Sequence, residues 1–95
     1  MRDPMTAAIR DNKPLHRFEM AASTDIAVVN YRLEPGLITF THTEVPDSLR
    51  GQGIGSRLVH GALEAARAGG LKVAARCSFV SAYISRHPEF NDLLP

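Results

Sequence analysis

Three glycines at every second position, Gly51, Gly53 and Gly55, lead directly into a stretch of helical periodicity. Glycine at that density weakens helices and strands alike, so a fold keeps it where the backbone takes an unusual conformation or lies close against something. At a helix start that something is often an anion, because the first turn carries unpaired N–H groups and the positive end of the macrodipole. The run also divides the chain, with alternating hydrophobic patterning before it and a period of 3.6 after it.

Ahead of the run, residues 1–13 mix charge and alanine without steady periodicity and read as a flexible lead-in. From His16 onward alternation sets His16, Phe18 and Met20 on one face and Leu15, Arg17 and Glu19 on the other, which predicts a strand at the sheet edge. Residues 26–33 are rich in β-branched and aromatic side chains, with Ile26 and Val28 opposite Ala27, Val29, Tyr31 and Leu33, and predict a second strand buried on both faces for half its length. Glu34-Pro35-Gly36 has the Pro-Gly order of a type II turn, so a third strand over 37–45 returns antiparallel.

Beyond Pro46, Ile54, Leu58, Ala62 and Ala66, with Leu63 beside them, form an apolar stripe, while Arg57, His60, Glu64 and Arg67 point elsewhere. Gly69-Gly70 supplies the left-handed conformation that ends a helix. Residues 71–77 alternate again as a fourth strand. The intervening helix makes it a crossover, so this strand runs parallel to the third. Ser78 is a candidate N-cap for a second helix to about residue 85, stopped by His87-Pro88. The order β-β-β-α-β-α describes one α+β domain over residues 14–95, with an antiparallel start, a β-α-β crossover and helices covering a mixed sheet.

Composition excludes several classes of function. A net charge of +1 argues against non-specific nucleic-acid binding, which needs a basic surface. No apolar stretch approaches the roughly 18 residues of a membrane helix, and Asp3, Pro4, Arg10 and Asp11 interrupt any signal-like run, so neither membrane nor export is expected. The single cysteine has no internal disulfide partner and points to a reducing cytoplasm. Cysteine and histidine show no metal-ligand spacing.

Three phosphate-site patterns compete for the glycine run. A P-loop needs Lys-Ser/Thr after its second glycine, and no lysine follows here. A dinucleotide fingerprint needs glycine at position 56, which is Ser56, and a longer repeated strand–helix unit than remains. The third pattern fits. Arg50-x-x-Gly53-x-Gly55, between a strand ending in Val45-Pro46 and a helix, resembles the Gln/Arg-x-x-Gly-x-Gly/Ala signature of the GNAT superfamily of acyl-CoA-dependent acetyltransferases. The likeness extends through His42-Thr43-Glu44-Val45-Pro46, Cys77-Ser78-Phe79-Val80, Tyr83-Ile84 and His87-Pro88-Glu89-Phe90, and over about residues 14–95 the chain resembles the small YjdJ-type branch.

That resemblance implies a GNAT-like mixed sheet whose neighbouring strands splay to seat CoA, with acetyl-CoA as co-substrate and an amine, small-molecule or protein, as acceptor. Backbone N–H groups across Gly51, Gln52, Gly53, Ile54 and Gly55 would face the pyrophosphate, Ser56 would add a hydroxyl, and Arg50 and Arg57 would add positive charge. The pantetheine arm would pair with backbone near Glu44 and Val45.

For chemistry, Cys77 stands at the carboxyl end of a strand and just before a helix start, a setting that favours thiolate. It equally continues the apolar face of Leu71, Val73 and Ala75 as a small buried hydrophobe. His42, on the same face of strand three as Ile38 and Phe40 and so partly buried, is the candidate base for Cys77 or the amine, with Glu44 near it. Tyr83 on the last helix is a candidate acid for the departing CoA thiolate or a packing residue. The leading reading is a small N-acetyltransferase. The alternatives are a CoA-binding module without transfer activity, and an interaction domain whose glycines serve only a turn.

Overall fold

The computed structural model describes residues 9–22 and 24–95. Its sheet has five strands in spatial order β1-β2-β3-β4-β5: β1 (Ile9–Asn12), β2 (Arg17–Ala22), β3 (Asp25–Glu34), β4 (Leu37–Glu44) and β5 (Lys72–Ala75). The first four are antiparallel, and β5 lies parallel to β4. Helix α1 (Ile54–Ala68) makes the crossover between β4 and β5, and α2 (Ser78–Arg86) follows β5. A 3-10 segment, Pro88–Leu93, packs Phe90 and Leu93 into the core after α2. Among the described residues no helix is long and apolar enough to cross a membrane.

Alternation decides which side of the sheet is covered. Phe18, Met20, Ala27, Val29, Tyr31, Ile38, Phe40 and Val73 are all buried and fall in register on one face. Leu58, Ala62, Leu63 and Ala66 of α1 and Val80, Tyr83 and Ile84 of α2 join them in a single core. The stripe expected for α1 is thus the buried one, and Arg57, His60, Glu64 and Arg67 are exposed. At the β3–β4 hairpin Gly36 takes φ +75, as the Pro35-Gly36 turn requires.

Three expectations about element positions and boundaries are corrected. Ile9–Asn12 is a strand, not part of a lead-in, so β2 is interior and β1 is the edge; residues 1–8 lie outside the described region. Its seat is tertiary: a Cβ at Gly61 of α1 would collide with the Ile9 side chain, and Asp11 Oδ1 accepts a 2.6 Å hydrogen bond from the Tyr31 hydroxyl. The fourth strand of the sequence reading stops at Ala75 rather than running to Cys77, because Arg76 N–H and Cys77 N–H both turn onto one acceptor, Phe40 O, at 3.0 and 3.1 Å. The N-cap of α2 is accordingly Cys77, not Ser78.

A β-bulge in β4 alters its second half. Pairing passes from Tyr31↔Phe40 to Asn30↔His42, leaving Thr41 as the extra residue. A one-residue slip exchanges the two faces. Beyond the bulge Thr43 therefore pairs with Val29 on the core side, whereas His42 and Glu44 pair with Asn30 and Val28 on the other side. His42 is exposed rather than partly buried, and it does not share a face with Phe40.

Candidate active site

The double acceptor at Phe40 O marks where two parallel strands part. The β4–β5 ladder ends at Phe40↔Ala75, so β4 from Thr41 to its end has β3 on one side and, among the described residues, no strand on the other. A cleft of about 520 Å³ opens there, within the usual size range of small-molecule sites. Thr43, Val45 and Phe79 form one part of its wall, and Leu49, Arg50, Gly51, Gly53, Ile54, Gly55 and Ser56 form the rest.

The glycine loop is held by its flanks. Leu49 and Ile54 are each 3% exposed and pin both ends into the core, and Gln52 Nε2 donates to Ser48 O at 3.1 Å across the loop. Between the pins Gly51 and Gly53 take φ +79 and +72, a region where a side chain is strained. Gly53 is the N-cap of α1, and the first helical bond, Arg57 N–H to Gly53 O, is 3.1 Å. The N–H groups of Gly53, Ile54, Gly55 and Ser56 thus lack intrahelical acceptors. No acidic residue lies in that first turn to compete for them, so the positive end of a fifteen-residue helix meets the cleft.

Gly55 serves differently. Its backbone is helical, but an added Cβ would lie 2.7 Å from Cζ of Phe79 and 3.2 Å from Cγ2 of Val45. The glycine lets the first turns of α1 and α2 meet, which ties the glycine loop to the helix capped by Cys77.

Cys77 is 8% exposed, and its sulfur lies 3.2 Å from the Thr43 hydroxyl. Burial is the largest single influence on the thiol and pushes its pKa up. The Thr43 hydroxyl, then the backbone N–H groups of Val80, Phe79 and Thr43, outweigh it together and leave the pKa below the usual thiol value. No closed capping hydrogen bond forms between Sγ and α2, so the helix start acts on the sulfur as oriented dipoles.

Of the sequence-predicted residues, the structure brings Val45, Arg50, Gly51, Gly53, Ile54, Gly55 and Ser56 to one cleft and sets Cys77 against its wall through Thr43. Arg50 also pairs with Asp47, Nε to Oδ1 3.0 Å. Gln52, Glu44 and Arg57 do not line the cleft, and neither does His42. Tyr83 is 5% exposed; its hydroxyl bonds His60 Nδ1 at 3.0 Å, its ring stacks on His87 at 3.9 Å, and burial, then Glu89 and Glu64, raise its pKa. Thr43 and Phe79 are additions. Strict alternation places Thr43 on the wrong face, and nothing local marks Phe79 as the ring that lies over Gly55.

Comparison with known proteins bears on this geometry. Residues 17–93 match the family model described as GCN5-related N-acetyl-transferase. The fold is similar to the NMR solution structure of a GCN5-like candidate N-acetyltransferase from Staphylococcus aureus, with TM-score 0.72 and 28% identity over 94% of this chain and 88% of that one. No curated protein matches the chain.

Proposed function

The chain belongs to the GCN5-related N-acetyltransferase family, and from that premise we propose that it moves acetyl from acetyl-CoA to an amine within the cleft between β4 and α1. The observation that carries this reading is the parting of β4 from β5 at Phe40, with unpaired helix N–H groups on one side of the opening and a polarised thiol on the other. The cleft fits the co-substrate. The pyrophosphate lies on the N–H groups at Gly51 to Ser56, Arg50 supplies charge beside it, and the pantetheine amides extend the sheet along the free edge of β4 toward Val45 and Thr43. The thioester then arrives beside Cys77.

The Cys77 thiolate attacks the acetyl carbonyl carbon. A new S–C bond forms on the protein, the C–S bond to CoA breaks with its electron pair staying on the CoA sulfur, and that sulfur takes a proton from solvent. A neutral amine next attacks the acetyl-cysteine, forms the amide, releases the Cys77 thiolate and sheds a proton. His42 and Glu44 face the opposite side of β4, away from Cys77, so the amine's proton leaves to solvent. The segments around His42 and Cys77 support assignment to the small YjdJ-type branch, and a free, buried Cys77 suits a reducing cytoplasm.

Calorimetry with CoA, followed by intact mass after incubation with acetyl-CoA, tests this proposal. Binding is expected, with one acetyl adduct on the wild type that is absent from Cys77→Ala. Folded protein that binds no CoA would sink the assignment. CoA binding without adduct or amine-dependent CoA release would favour a binding module instead.

A further inference from the structure

We propose that Thr43 is the positioning residue for Cys77, its hydroxyl fixing the sulfur at the cleft wall and favouring the thiolate over the thiol. The bulge at Thr41 turns Thr43 to the core side, where Oγ1 lies 3.2 Å from Sγ. Threonine is β-branched and has few χ1 rotamers, so the hydroxyl is held in place with little entropy left to lose. In the thiol state S–H donates to Oγ1; in the thiolate state Oγ1–H donates to sulfur. The second bond is charge-assisted and the stronger, so the pair favours loss of the thiol proton to solvent. Beside burial, which opposes them, the largest influences on the sulfur are this hydroxyl and the backbone N–H groups of Val80, Phe79 and Thr43.

The effect on the thiol is independent of any acyl donor, while its use in transfer rests on the covalent route proposed above. The experiment is therefore run on the full chain without CoA. Wild type, Thr43→Val and Thr43→Ser are alkylated with iodoacetamide across a pH series, and the product is followed by intact mass. Valine keeps the shape and removes the hydroxyl, and its profile midpoint is expected to move up by about one pH unit, roughly a tenfold slower reaction below both midpoints. Serine is expected to overlay the wild type. A valine profile that also overlays the wild type, in folded protein, overturns the proposal. Should the valine variant fail to fold, Thr43→Ala takes its place: an alkylation profile that overlays the wild type overturns the proposal, and one moved to higher pH while serine stays near the wild type supports it. A shifted valine profile with no acetyl adduct from acetyl-CoA would refute the covalent route and leave the role of Thr43 standing.

Discussion

Replacing Gly53 by alanine is expected to destabilise the domain through its own backbone, whereas replacing Gly55 is expected to act through the ring of Phe79. Gly53 has φ +72 and nothing within 4 Å of an added Cβ, so the whole cost is the left-handed conformation, about 1–2 kcal/mol. For a domain of this size each kcal/mol lowers Tm by roughly 4–8 °C. At Gly55 the helical backbone accepts alanine and gains up to about 1 kcal/mol of helix propensity, against the contacts with Phe79 and Val45. The atom met at 2.7 Å is the far end of a side chain whose residue is 38% exposed, so the ring swings aside and net stability changes by less than about 1 kcal/mol. The displaced ring lines the cleft, and CoA affinity falls instead. Urea unfolding of wild type, Gly55→Ala, Phe79→Ala and the double variant measures the coupling directly. A value of about 1 kcal/mol is expected, with Gly55→Ala stabilising once the ring is gone. The same cycle with Gly53→Ala is expected to be additive. Coupling below about 0.3 kcal/mol between positions 55 and 79, or relief of Gly53→Ala by Phe79→Ala, would refute the reasoning.

Two further outcomes follow from groups away from the cleft. Arg17, then Asn12, hydrogen-bond Glu19 and hold its carboxyl below the usual range against the opposing effect of burial, with Arg10 adding to the pull. A folded pKa below the unfolded one gives stability that is full above the unfolded value and is lost as pH falls through the folded one. Urea midpoints taken from neutral pH into the acid range are thus expected to fall less steeply in Glu19→Gln, and parallel curves would contradict this account. Tyr83→Phe is expected to cost about 1 kcal/mol by removing the hydroxyl's hydrogen bond to His60 Nδ1, while CoA affinity and the acetyl adduct stay at wild-type levels. Loss of amine-dependent CoA release at unchanged CoA affinity would instead place the Tyr83 hydroxyl in the chemistry.

What the chain discloses about itself tracks how local each signal is. The stripe from Ile54 to Ala66, the Pro35-Gly36 turn and the β-α-β crossover are written within a few residues, and all appear where periodicity and turn chemistry put them. The glycine run belongs to the same class, since left-handed φ at Gly51 and Gly53 is a demand each residue meets alone. Gly55 does not: its neighbour Phe79 is twenty-four positions away, and only the meeting of two helix starts explains it. Strand β1 holds one apolar residue in four, and its place at the sheet edge depends on Gly61 and Tyr31, so alternation cannot detect it. The bulge has the largest effect. Beyond Phe40 the run Thr41-His42-Thr43-Glu44 has no apolar side chain on either face, so nothing in the local pattern marks where the faces exchange. The exchange moves His42 away from Cys77 and brings Thr43 to it, replacing a titratable partner with a neutral hydroxyl. A thiol activated this way keeps its reactivity independent of any histidine titration. Its alkylation rate should therefore rise through one ionisation, that of Cys77 itself, with no second inflection near pH 6–7 where an imidazole would report.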